Sequence, residues 1–239
     1  LFIVGIAVAG WLLSAALFFA GSVAGRSLSS GVAATLLGLF TGSLAGPLEL
    51  IRRRGVMNFD YFWATSRIIP PNGISEYPFW SLLFADLHAH LFAMPWAVTL
   101  VGVVLLWLRR LDTPSGFPAK ERFALLAANS VLFGVLALSS GCSVPTYALL
   151  PAFAVLFDLP GSLLRKDTRA GALSSLGARG LMVAVPPVAG FLLFLPFWWR
   201  FVAPPRQLGW EAGPFAPPLA VLQVFGLFLA LLVPFLYLA

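Results

Sequence analysis

Apolar runs of about 20 residues, each closed by a short polar or Pro/Gly-rich segment, recur along this chain from Leu1 to Ala239. A run of that length is what an α-helix needs to cross the roughly 30 Å hydrocarbon layer of a bilayer. Inside that layer no water can satisfy backbone amides, so helices or closed barrels are the only spanning solutions. The runs are far too long and too continuous for the alternating pattern of barrel strands. Composition agrees: 60% of the 239 residues are hydrophobic and 10% are charged, against about 25% charged in soluble domains. The expected class is all-α, a polytopic transmembrane helix bundle of about seven spans.

The expected spans are residues 1–24, 31–51, 80–108, 123–140, 146–164, 181–201 and about 219–239. The chain opens and closes inside apolar runs without an initial methionine, so residues 1–239 are read as a single transmembrane domain, a piece of a longer protein. Leu1 to Ala20 is therefore not read as a signal peptide. No internal repeat is evident, and the single cysteine, Cys142, permits no internal disulfide.

A formal net charge of +6 would suggest nucleic acid in a soluble protein. Here the cations sit in interhelical loops, where they orient helices and meet anionic lipid. There is no continuous basic stripe and no nucleic-acid motif, so the expected partner is membrane lipid. If loops alternate sides, nine Lys and Arg fall on the side of Arg26, Arg109 and Arg165, and six on the side of Arg52, Arg67 and Arg200. The richer side is usually cytoplasmic. That assigns residues 52–80 to the outer face, although the triple arginine 52–54 argues the other way.

Residues 52–80 are read as an interfacial loop, one or two short helices on the membrane surface, with the Pro70-Pro71-Asn72-Gly73 stretch as a turn. The loop carries Asp60, Arg67 and Glu76 among Tyr61, Trp63, Tyr77 and Trp80. Such rings commonly form an interfacial belt; the alternative is a platform for a sugar or lipid headgroup. Arg67 suits a phosphate through paired hydrogen bonds, or a snorkelling contact with headgroups. The triple arginine and Arg200 and Arg206 are read as lipid-facing charge, Asp158 as pairing with a loop cation such as Arg165, and Cys142 as a small buried apolar residue.

Just beyond lie Asp86, His88 and His90, at the mouth of the third apolar run. On a continuous helix Asp86 and His90 would share a face, and His88 would point away. With Glu76 or Asp60 as a third ligand, Asp86 and His90 could hold a divalent metal, oxygen and imidazole donors favouring Mn²⁺, Zn²⁺ or Fe²⁺ over Mg²⁺. Ionisable groups at a membrane mark functional sites by default; the plain alternative is that all three are hydrated among headgroups.

These residues carry a resemblance. Ile74-Ser75-Glu76-Tyr77-Pro78-Phe79-Trp80-Ser81-Leu82, followed by Ala85-Asp86-Leu87-His88-Ala89-His90, resembles the signature of the Chlor-Arch YYY domain family of multi-pass membrane proteins. Asp60-Tyr61-Phe62-Trp63, Ser66-Arg67-Ile68-Ile69-Pro70, Val144-Pro145-Thr146-Tyr147 and Leu195-Pro196-Phe197-Trp198 resemble further landmarks of it. The chain departs from the family at Gly42-Ser43-Leu44, where Gly-Asn-Leu is usual, and at Ser140-Gly141-Cys142-Ser143, where Asn-Thr-Trp-Asp is usual. The second departure removes an acid and an amide from that junction.

The family is similar to membrane glycosyltransferases of the C type, which take sugar from a polyprenyl-phosphate donor at the outer face. The resemblance implies Asp86 and Glu76 as catalytic carboxylates. On the glycosyl-transfer hypothesis, Arg67, Asp60, Tyr77, Trp80 and His88 are cast as substrate-binding and Asp86 and His90 as ligands of a divalent Mn or Mg, and the expected location is the plasma membrane. This is analogy at the level of fold. The competing expectations are a transporter or channel, and a non-catalytic structural subunit. A transporter would favour broken, charged helices in paired repeats.

Overall fold

A computed structural model describes residues 2–69, 73–86, 88–111, 117–140, 144–164, 169–202, 216–226 and 229. Among them the chain is all-helical, with one isolated β-bridge between Ile69 and Gly73. Ten helices run as α1 (Phe2–Gly25), α2 (Leu28–Phe40), α3 (Ala45–Arg52), α4 (Phe59–Thr65), α5 (Pro78–Leu83), α6 (Ala89–Leu111), α7 (Ala119–Ser139), α8 (Val144–Leu164), α9 (Arg169–Leu193) and α10 (Leu195–Arg200). Residues 218–226 are also helical. The helices form two compact units, Leu1–Thr35 with Leu87–Val202 and Leu36–Asp86 with Ala203–Ala239.

Among the described residues, Val4–Gly25, Ala89–Leu111, Ala119–Ser139 and Leu176–Leu193 are long and apolar enough to cross a membrane. A fifth span is added if α2 and α3, bent by 56° at their break, count as one. The seventh expected span lies largely at 227–239, outside the described residues. Two boundaries differ from expectation. The third run is not one helix from Trp80 onward: α5 ends at Leu83, Ala85 takes a left-handed φ of 55°, and α6 starts only at Ala89. A left-handed residue other than glycine marks a break that no helix propagates through. Conversely α9 begins at Arg169, within the expected loop 165–179, and continues through Pro186 and Pro187. Transmembrane helices tolerate proline where neighbours take up the freed backbone groups.

In the first unit α6 packs on α1 and α7, and α7 packs on α9. Between helices already in lipid, apolar transfer supplies little drive, so close van der Waals approach must hold them together. Glycine provides it. A Cβ on Gly190 of α9 would lie 2.6 Å from the Ser130 carbonyl oxygen of α7, and one on Gly102 of α6 would lie 2.5 Å from the Phe19 ring of α1. The interior between them is filled by Leu100, Val104, Trp107, Leu136 and Met182. Asn129 adds a buried polar contact, its amide nitrogen 2.9 Å from the Met182 sulfur.

Contacts fix the helix directions. Arg109, at the end of α6, donates from Nη2 to the Ala24 carbonyl at the end of α1 at 2.5 Å. A cation there meets the carbonyls that a helix C-terminus leaves unpaired and its negative dipole end. The two C-termini therefore lie together, α1 and α6 run parallel, and Arg26 and Arg109 share a side, as the alternation of loops requires. Helix α6 has 23 residues, about 35 Å at 1.5 Å per residue, so His88 and Arg109 stand at opposite ends of it. Helices α7 and α9 also run parallel, Asn129 meeting Met182 and Gly134 meeting Phe194. The 21 residues of α8 return the chain between them.

Many large apolar side chains point outward from these helices, Trp11, Phe123 and Trp199 among them. On a soluble protein so much exposed apolar surface would be an association liability; on a helix in lipid it is the solvated face.

Candidate functional site

The second unit contains every acidic, cationic and aromatic residue of the sequence-derived site except the two histidines. Its local structure follows from a few side chains. Asn58 caps α4, its Oδ1 accepting from the Tyr61 amide at 3.0 Å, and Asp60 sits in the first turn where a negative charge is favourable. The helix stops at Ser66, whose hydroxyl donates back to the Trp63 carbonyl at 3.0 Å. The chain then doubles back. The Ser75 amide donates to the Ser66 carbonyl at 2.9 Å, the Ile68 amide donates to the Ser75 hydroxyl at 3.3 Å, and Ile69 bridges to Gly73. Pro78 at the first position of α5 resumes the helix.

Setting Ser66 opposite Ser75 brings their successors together. Arg67 Nη2 lies 2.9 Å from Glu76 Oε1, with the arginine side chain 16% exposed and the glutamate 2%. The other terminal nitrogen, Nη1, donates to the Ser66 carbonyl at 2.9 Å and hydroxyl at 3.1 Å. The guanidinium carbon stands 4.4 Å from the Trp63 ring centroid and 5.6 Å from that of Trp80, so two indoles flank the cation. Around this pair Phe59, Phe62, Phe79 and Phe84 pack edge to face or tilted, with centroids 5.5 to 6.3 Å apart.

Two cavities meet at Tyr77, the residue after Glu76. The first, about 310 Å³, is walled by Phe40, Tyr61, Phe62, Tyr77 and Phe79 and floored by Thr41, Gly42 and Ser43. The second, about 290 Å³, shares Thr41 to Ser43 and Tyr77, adds Ser75 and Glu76, and is apolar at Leu37, Val224 and Phe225. Tyr77 lines both. Its hydroxyl lies 3.3 Å from Thr65 Oγ1, and a Cβ on Gly42 would touch its ring at 3.3 Å. Burial pushes the Tyr77 phenol above the usual tyrosine value, the Thr65 hydroxyl partly opposes this, and the nearby Tyr61 adds to it. Burial raises Tyr61 likewise. Ser43 is 8% exposed, and its hydroxyl has no hydrogen-bond partner among the described residues.

The residues singled out from sequence fall into distinct places. Glu76 and Tyr77 line a cavity, and Arg67 stands behind Glu76. Trp80 is buried under Arg67 and Phe84. Tyr61 is buried too, so neither of these rings belongs to an exposed interfacial belt; of the four aromatics named, Trp63 alone is exposed, at 47%. Asp60 is exposed, and neither it nor Asp86 lines these two cavities. Arg52 and Arg53 are paired with Glu49, at 3.3 and 2.7 Å, which offsets part of the triple-arginine charge.

Asp86 lies in the non-helical connection ahead of α6, so the four-residue helical spacing that would set it on one face with His90 is not realised. His88 and His90, in the first unit, are exposed and stack on each other, centroids 5.3 Å apart and 14° between planes. The donors suited to a divalent cation are thus the carboxylates of Glu76 and Asp86 in one unit and two imidazoles in the other. Gly42 and Ser43 were noted in the sequence only as a family departure, and Thr41 was not singled out; their place at a helix break, between α2 and α3, is the signal that marks them. Pro70, Pro71, Asn72, Cys142, Arg165 and Arg206, and the side chain of Asp158, lie outside the described residues.

No curated protein and no solved structure matches this chain. The model of one family, described as uncharacterized membrane protein (DUF2298), matches residues 3–239. The match runs through both helical units and through the Glu76–His90 stretch on which the resemblance rested, and the chain belongs to that family of membrane proteins.

Proposed function

We propose that this protein transfers a sugar from a polyprenyl-phosphate donor at the outer face of the plasma membrane. The observation that carries the reading is the buried Arg67–Glu76 pair at the wall of a cavity that is polar at one end and apolar at the other. Burying two charges costs several kcal/mol each before their attraction offsets it, and apolar residues would hold the loop at less cost. A carboxylate kept there, aimed by a guanidinium beside hydroxyl and aromatic groups, suits handling of a hydroxyl-bearing substrate.

In the proposed reaction Glu76 takes the proton of the acceptor hydroxyl. The acceptor oxygen forms its bond to the anomeric carbon, and the bond from that carbon to the phosphate oxygen breaks, its electron pair leaving with the polyprenyl phosphate. Arg67 is a positioning residue that holds the Glu76 carboxylate. Asp86 is the second carboxylate of the unit and the proposed ligand of a divalent cation, Mn or Mg, which would stabilise the departing phosphate.

The test is transfer by the full-length protein in liposomes, supplied with radiolabelled polyprenyl-phosphate hexoses and native membrane acceptors. E76Q lowers transfer about 10²- to 10⁴-fold per folded molecule, the range of general-base contributions. D86N abolishes stimulation by added Mn²⁺ after EDTA treatment. Transfer unchanged in E76Q removes the proposal.

A further inference from the structure

We infer that the double cavity around Tyr77 receives a neutral polyhydroxylated ring, a sugar of hexose size, and that no phosphate enters it. The inference rests on the transferase reading of this unit and assigns which part of the substrate occupies the space.

Charge is the first argument. Among the described residues neither cavity is lined by Lys, Arg or His, and the formal charge on their walls is the Glu76 carboxylate. Arg67 directs both terminal nitrogens elsewhere, to Glu76 and to Ser66. A phosphate placed here would meet a carboxylate whose cation is already engaged and, among the described residues, no lining cation of its own, at a cost of several kcal/mol in a low-dielectric site. A neutral ring carries no such penalty, and a carboxylate is a strong acceptor for sugar hydroxyls.

The aromatic walls are the second. Sugar C–H bonds, polarised by neighbouring oxygens, favour the electron-rich face of an aromatic ring. Tyr77 offers its ring to both cavities and is held in place at its hydroxyl by Thr65 and at its edge by the backbone of Gly42.

The third is Ser43. A buried hydroxyl without a hydrogen bond is rare in native proteins, and this one belongs to a residue lining both cavities. A ligand hydroxyl would complete it. Volumes of about 310 and 290 Å³ lie at the small end of the ligand-pocket range, which matches one ring in each and not an oligosaccharide.

The experiment is saturation-transfer NMR on the full-length protein in phosphatidylcholine nanodiscs, with methyl glycosides of glucose, mannose and galactose, and separately with inorganic phosphate and methyl phosphate. At least one glycoside binds and neither phosphate does. S43A weakens glycoside binding roughly five- to tenfold, the scale of one neutral hydrogen bond. Y77L weakens it at least tenfold, whereas Y77F, which keeps the ring, stays within about threefold of wild type.

Failure to bind any glycoside overturns the inference, as does phosphate binding that S43A weakens. Glycoside binding without sugar transfer supports the cavity assignment while removing the transferase reading. Transfer that proceeds unaltered in S43A and Y77L removes the assignment and leaves the transferase reading intact.

Discussion

Arg67 Nη2 and Glu76 Oε1 lie 2.9 Å apart although eight residues separate them, because the chain reverses between Ser66 and Ser75 and delivers both side chains to one side of the turn. The glutamate is 2% exposed and the arginine lies between two indoles. Removing one partner leaves the other charge buried. R67A or E76Q is therefore expected to destabilise the second unit by about 3–5 kcal/mol, the range for broken buried pairs, and the double variant R67M/E76Q by less than either. Thermal unfolding in detergent, followed by size-exclusion chromatography, checks the order; a loss in the double variant equal to the sum of the two single losses would show the charges uncoupled.

Glycine contacts separate two helical positions that look alike in sequence. At Gly190 a Cβ would sit 2.6 Å from a backbone carbonyl, which cannot swing aside, whereas nothing lies within 4 Å of the corresponding point at Gly177. G190A should cost about 1–3 kcal/mol as overpacking, and G177A should be neutral or stabilise by about 0.5–1 kcal/mol through helix propensity. Both belong to α9, so the pair controls for general effects of alanine. The same unfolding measurement decides it.

Tyr77 gives a pH signature. Its folded phenol titrates above the unfolded value because burial disfavours the phenolate. The stabilisation from keeping it neutral is fully present below about pH 10, the ordinary tyrosine value, and is lost as pH rises from there through the raised folded value. Ultraviolet titration should show a tyrosine ionising above the free amino acid, and Y77F should remove that component. A Y77F difference spectrum centred on the free-tyrosine value would contradict the burial.

Parallel α1 and α6 make a topological prediction. Single cysteines at Arg26 and Arg110, introduced after Cys142→Ser, should react with a membrane-impermeant maleimide from one side of sealed vesicles, and a cysteine at His88 from the other. Reaction of positions 26 and 110 from opposite sides would rule out the Arg109–Ala24 contact that sets the direction.

How much of this was legible beforehand depends on whether a feature is local. The apolar runs announced helices α1 and α7, and the C-terminal end of α6, to within a few residues, since hydropathy and length are properties of a contiguous segment. The break at Ala85 was not legible, because the stretch from Trp80 onward has no glycine or proline to mark it until Pro95. The acidic residue with a buried role could be nominated but not ranked: Glu76 and Asp86 look equivalent on paper, and of the two it is Glu76 that lines one of the two cavities around Tyr77.

By itself, then, the amino-acid order determined the all-α membrane class and the residues 60–90 in which charge and aromatics concentrate, because transfer into lipid is a sum over neighbours along the chain. The tertiary structure alone decided that Tyr61 and Trp80 are buried and not an exposed belt, that Arg67 is bound to Glu76, and that Thr41 to Ser43 and Tyr77 bound a common space. Those outcomes depend on which distant segments meet across a chain reversal, and side-chain periodicity carries no information about that meeting.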